Sequence, residues 1–157
     1  MKIRVANKAD AALILDFIRD LAAYEKALDE VIATEEDLHN TLFSNDPRAH
    51  GLICERDGKP AGFAVYFFNY STWLGKYGLF LEDLYISPEH RGSGAGKALL
   101  QHLARLAIAN NCGRFEWNVL DWNTPAREFY ESFSAAPQSE WVGYRLQGDE
   151  LRRFAEE

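Results

Sequence analysis

Cysteine is scarce: Cys54 and Cys112 are the only two in 157 residues, far apart and each in an apolar context. Neither sits in a Cys-x-x-Cys pair or at Cys/His ligand spacing, so both read as reduced core thiols rather than as a disulfide framework or a metal site. The four histidines, His39, His50, His90 and His102, have no ligand spacing either, and no metal is expected. No apolar run reaches the about 18 residues needed to span a membrane. The opening MKIRVANKAD has no apolar signal region, which leads to the expectation of a cytoplasmic protein with no membrane partner. Positive charge is also in short supply, with 17 Lys and Arg against 24 Asp and Glu and a formal net charge of −7. That balance argues against a nucleic-acid partner and favours a cationic small molecule. No repeat, low-complexity tract or linker divides the chain, so a single domain over 1–157 is expected.

What the chain does have is apolar and aromatic mass, 47% and 13% of its residues, enough to offset the entropy of folding. KIRVA (2–6) reads as a strand, and 9–26 as a helix with Leu13, Phe17, Leu21 and Tyr24 at helical spacing. Thr34 is placed to cap a helix over 34–43, with acids in its first turn. Residues 50–70 read as a hairpin through Asp57-Gly58, and 78–87 as a third long strand. A helix over 95–110 with Leu99, Leu103, Leu106 and Ala107 inward, a strand over 114–120, a helix over 124–133 opened by Pro125 and a strand over 138–146 follow, with a last helical turn at 149–155. The order β-α-α-β-β-β-α-β-α-β predicts an α/β domain of the α+β kind, a mixed sheet whose parallel pairings use helices as crossovers.

The stretch RGSGAGKALL places three glycines between a strand and an amphipathic helix. It is not a Walker loop, because Arg91 stands where the first glycine belongs and Ala98 follows Lys97. It is not a dinucleotide fingerprint, because Lys97 and Leu99 stand where the third glycine would fall. Glycines there permit positive φ, so successive backbone N–H groups and the positive end of the helix can converge on phosphate oxygens, with Arg91 adding a charged fork. A pyrophosphate suits that geometry.

Arg-x-x-Gly-x-Gly after a strand and before a helix resembles the acetyl-CoA loop of the GNAT N-acetyltransferases. Within that superfamily, LAAYE (21–25), YSTWLGK (70–76), LEDLYISPEHRGSGAGKALL (81–100) and LDWNTPAREFYE (120–131) resemble the diamine (spermidine/spermine) N-acetyltransferases, and most closely their thialysine N-acetyltransferase branch. The resemblance runs from the first strand to about residue 155. It implies the GNAT fold, with a mixed, mostly antiparallel sheet flanked by helices. It also implies an acetyl-CoA-dependent N-acetyltransferase that acts on the primary amine of a small cationic substrate by direct transfer in a ternary complex, without metal, as a homodimer.

By that resemblance Leu84, Tyr85 and Ile86 line the thioester, and Arg91, Gly92, Ser93, Gly94, Ala95, Gly96 and Lys97 hold the pyrophosphate. Asn123 serves the coenzyme amides if Thr124 caps the following helix; capping by Asn123 itself is the alternative. Tyr130 matches the tyrosine near the CoA sulfur. With reference pKa values of about 10 for tyrosine and about 8.5 for a thiol, proton donation, hydrogen bonding to the thiolate and protonation by the attacking amine all stay open. Glu82 and Asp83 interrupt GLFLEDLYI, and on a regular strand they would face opposite sides, at least one of them away from water. The resemblance gives Glu82 amine binding and deprotonation, with Asp83 nearby. It places Tyr24 and Glu25 at the amine entrance, and Trp73 and Lys76 on the substrate side.

The chain departs from polyamine-specific members at Ser71, where an acid usually stands two residues before the tryptophan. It also has Gly143-Tyr144 in place of Gly-Trp, and Ser134-Ala135 in place of Gly-Ala. Two other functions compete: acetylation of a protein or peptide amine, and a non-catalytic acyl-CoA-binding sensor. Retention of both Glu82 and Tyr130 speaks against the sensor.

Overall fold

The computed structural model describes residues 1–156, in two compact units that divide after Asn118. The first unit is built on a five-stranded sheet of β1 (Lys2–Val5), β2 (His50–Arg56), β3 (Lys59–Ser71), β4 (Lys76–Ile86) and β5 (Phe115–Trp117), in that spatial order. Neighbours are antiparallel except β4 and β5, which are parallel and joined through helix α3 (Ala95–Ala109). Asp57 and Gly58 both have positive φ, 52° and 76°, the conformation a two-residue hairpin turn requires.

Helices α1 (Ala11–Tyr24) and α2 (Glu35–Thr41) cover one face of the sheet. There Ile14, Leu15 and Phe17 meet Ile53, Phe63, Val65 and Tyr85, with the Phe17 and Phe63 rings stacked at 5.5 Å. The predicted Thr34 cap forms: its Oγ1 accepts from the Asp37 N–H at 3.2 Å, and Asp37 returns a bond to the Thr34 N–H at 2.8 Å. The first helix begins later than expected because a 3-10 turn, Lys8–Asp10, precedes it under an Asn7 cap. Asp10 is buried there and receives both terminal nitrogens of Arg4 at 2.8 Å, which holds its carboxyl below the usual range. Leu99, Leu103 and Ala107 are buried on α3 as expected.

The second unit holds α4 (Thr124–Glu131) and α5 (Gly148–Glu156). The strand expected over 138–146 does not form. Its segment has alternating apolar residues, but the described residues of this unit include no strand to complete a ladder, and Trp141 and Tyr144 are exposed. The strand expected over 114–120 is shorter for a related reason: β5 pairs with β4 only at Phe115, Glu116 and Trp117. Ser134, at the position where the resembled family has glycine, takes φ 70°, a left-handed conformation that a side chain adopts only with strain.

Candidate active site

In β4, Val65 lies opposite Asp83 while Tyr66 lies opposite Leu81, so Glu82 has no cross-strand partner and forms a β-bulge. Partners across a ladder share a face. Asp83 and Tyr85 therefore point to the α1 side with Val65 and Phe63, and Leu81, Leu84 and Ile86 point to the α3 side. The two acids do not simply alternate, as a regular strand would have them. Glu82 is exposed on the bulge and Asp83 is half-buried beside the core. Burial pushes the Asp83 carboxyl up to about 6, and the negative charges of Glu82 and Glu25 add to the shift. Glu25, the C-cap residue that follows α1, is itself raised by burial.

The same half of β4 carries an open backbone edge. The Ser87 N–H donates to the Ala61 C=O at 2.9 Å, which fixes the alternation so that Leu84 and Ile86 turn their peptide groups away from β3. On that side β5 accompanies only Leu79, Phe80 and Leu81. Beyond Leu81 no pairing to β5 is formed, and the Leu84 N–H points to the side of β4 away from β3 as a donor.

Beyond β4, a 3-10 turn at Pro88–His90 leads into the glycine loop. Gly92 and Gly94 have φ 73° and 85°, and a Cβ on either would meet nothing within 4 Å, so it is the backbone angle and not space that calls for glycine. Gly94 caps α3 without a side-chain bond, and the first turn holds no acid. The helical ladder starts with the Ala98 N–H donating to the Gly94 C=O, which leaves the N–H groups of Ala95, Gly96 and Lys97 as the outward donors of a positive helix end. Ser93 Oγ braces the loop by donating to the His90 C=O at 2.5 Å. Arg91 Nε donates to the Ile86 C=O at 3.0 Å. Gly96 faces Ile86 and Leu84, at 3.8 and 4.0 Å from where a Cβ would be, an ordinary contact that leaves room for one.

Trp73 lies in the turn between β3 and β4, exposed. Asp83 lies seven positions along the strand from Lys76, about 23 Å at the rise of an extended chain, so one chain does not bring Trp73 or Lys76 to the carboxylates. Ser71 Oγ accepts from the Leu74 N–H in that turn, at 3.3 Å. In the second unit, Asn123 is buried and caps α4, its Oδ1 accepting from the Ala126 N–H at 3.4 Å. The expectation that Thr124 would cap instead is not met. Tyr130 is half-buried on α4, its ring 5.7 Å from Phe129 and 6.3 Å from Phe133. The bulge at Glu82 went unread from sequence, although its signal was present in the spacing of Leu79, Leu81, Leu84 and Ile86.

Residues 16–134 match the Acetyltransferase (GNAT) family. The chain belongs to it. A thialysine N-epsilon-acetyltransferase of Sus scrofa is 37% identical over 98% of this chain and 96% of its own length, and that of Caenorhabditis elegans is 36% identical over 94% and 92%. An Arabidopsis thaliana L-ornithine N5-acetyltransferase is 29% identical over 96% of this chain and 86% of its own. Among solved structures, an integron cassette protein from the mobile metagenome of V. cholerae superposes with a TM-score of 0.83 at 28% identity, covering 99% of this chain and 98% of that one. The GNAT chain is thus an N-acetyltransferase acting on an amine, with the mixed, mostly antiparallel sheet of that family. Among the described residues no cluster of His, Cys, Asp and Glu could hold a metal, and no helix is long and apolar enough to cross a membrane.

Proposed function

We propose that the protein transfers the acetyl group of acetyl-CoA to the side-chain amine of a small, lysine-like substrate. The observation that carries this reading is the half-strand Glu82–Ile86, where an open donor edge, a half-buried carboxylate of raised pKa and a glycine loop at a helix start succeed one another in the chain. Acetyl-CoA supplies the acetyl group as a thioester. The N–H groups of Ala95, Gly96 and Lys97, the loop of Gly92, Ser93 and Gly94, and Arg91 are suited to its pyrophosphate, and Tyr85 joins them on the coenzyme side, while the Asn123 Oδ1 is taken up by its cap on α4. The Leu84 N–H donates to the acetyl oxygen as negative charge develops on it.

Glu82 draws in the ammonium group and relays its proton through water. Asp83, with a carboxyl near neutrality, is the better matched acceptor. The freed amine forms the C–N bond as the C–S bond breaks, its second proton passes to the departing thiolate, and Tyr130 steadies that thiolate by a hydrogen bond. Direct transfer fits the cysteines: Cys54 is fully buried and Cys112 partly so, and burial raises both thiols. A homodimer accounts for Phe68, Tyr70 and Tyr77, exposed along one stretch of β3 and β4, and would give Trp73 a place on the substrate side of a partner.

The relatives named for thialysine, together with Ser71 in place of an acid, favour a short substrate with one distal amine. In a CoA-release assay over thialysine, lysine, ornithine, diamines, spermidine and lysine peptides, kcat/KM should be highest for thialysine-like amines. A clear preference for spermidine or for peptides would overturn the substrate class. The loop assignment is tested by Gly94→Asp, which forces a side chain onto φ 85° and sets a negative charge at the positive helix end. Acetyl-CoA affinity should fall by roughly tenfold to 100-fold in calorimetry while the fold, followed by circular dichroism, is kept. Unchanged affinity would remove the pyrophosphate from this loop.

A further inference from the structure

Tyr24 ends α1, next to Glu25, where the family resemblance puts the amine entrance. Its ring has a different neighbour. The guanidinium carbon of Arg91 lies 5.3 Å from the Tyr24 ring centroid and 5.5 Å from that of Tyr85. Arg91 is thus gripped from three directions: by a ring on α1, by a ring on β4, and by the Ile86 C=O that accepts from its Nε at 3.0 Å. Tyr85 is 7% exposed and fixed against Phe17 at 6.0 Å, so one wall of this clamp belongs to the core. Tyr24 is 42% exposed and forms the outer wall.

An arginine side chain carries large rotamer freedom, and a free one would have to give it up when an anion arrives. Two aromatic rings and one carbonyl restrict it beforehand without an ion pair to a carboxylate among the described residues, which suits preorganised anion recognition. We infer that Tyr24 is a positioning residue for the anion loop, holding Arg91 in place for the coenzyme pyrophosphate, and that its direct part in amine binding is minor. This rests on the proposed acetyl-CoA reading. A consequence is that the end of α1 belongs to both sides of the site: Tyr24 braces the loop while its neighbour Glu25 lies near enough to Asp83 to raise its pKa.

The test is calorimetric titration with free CoA, without amine, of the wild type, Tyr24→Leu, Tyr24→Phe, Arg91→Ala and the Tyr24→Leu/Arg91→Ala double variant. Wild-type protein should bind CoA; failure there would refute the acetyl-CoA reading itself, independently of the clamp. Tyr24→Leu should weaken CoA about threefold to tenfold, the range of a partly exposed cation–aromatic contact. Tyr24→Phe, which keeps the ring, should restore most of the affinity. In the Arg91→Ala background the leucine should have no further effect, because the group it positions is gone. Equal losses in both backgrounds, or unchanged CoA affinity with a raised amine KM, would overturn the inference.

Discussion

Replacing Asp83 by asparagine should make the protein more stable and far less active. The Asp83 carboxyl is half-buried against the α1 face and pushed up to about 6, chiefly by burial. Its folded pKa lies above the unfolded value of about 3.9, so the folded state holds the proton more tightly than the unfolded chain does. Stability is therefore fully present below the unfolded pKa and is lost as pH rises through 6. A shift of this size corresponds to about 2–3 kcal/mol, of which asparagine, still polar and half-buried, should recover about 1–2 kcal/mol. Thermal melts should show a larger gain for Asp83→Asn at pH ~8 than at pH ~5. Turnover should fall by about 100-fold or more, the scale of one lost acid–base group. The wild-type kcat/KM profile for the amine should carry an acid limb near pH 6 that the variant lacks. Glu82→Gln, at the exposed bulge, should lose activity without the stability gain. A variant that keeps its turnover, or whose stability gain does not change with pH, would take the proton from Asp83.

Tyr130→Phe should lower turnover about tenfold or more and leave acetyl-CoA affinity close to wild type. The substitution keeps the ring and its edge contacts to Phe129 and Phe133, so the α4 packing survives and only the hydroxyl is tested. With reference pKa values of about 10 for the phenol and about 8.5 for the thiol, complete proton transfer from tyrosine is uphill. A hydrogen bond that strengthens as the thiolate forms is sufficient for the expected loss. Rapid-quench measurements separate chemistry from product release. Wild-type rates in the chemical step would transfer the role to the amine's own proton.

The local devices were legible because they are written in adjacent residues. The Asp57-Gly58 turn, the Thr34 cap and the strand-glycine-helix order of the loop each depend on chemistry within four or five positions, and each formed as read. The failures share a different cause. The alternation in 138–146 is a real pattern, but a strand exists only beside another strand, and no local signal reports whether one is there. Asn123 and Thr124 are both good capping residues, so sequence could not rank them, and the backbone placed Asn123 at the cap. The meeting of Arg91 with Tyr24 and Tyr85 joins residues from separate elements, which only the packed sheet and helix bring together. Of the acids, sequence found the pair and missed which member is buried, because that depends on the unpaired residue in β4.

That unpaired residue has a consequence for what kind of lesion the site tolerates. Every apolar side chain of β4 would keep its face if Glu82 were deleted: Leu79 and Leu81 would run on to Leu84 and Ile86 in unbroken alternation, and Asp83 would still stand opposite Val65. The core has no use for the extra residue. A chain shortened by that one position would thus have the more regular β3–β4 ladder, with each residue from Lys76 to Ile86 opposite a partner. The extra residue therefore serves the local bend of β4 between Leu81 and Asp83 and not the ladder, and losing the residue would harm this protein in a way that losing its carboxylate would not.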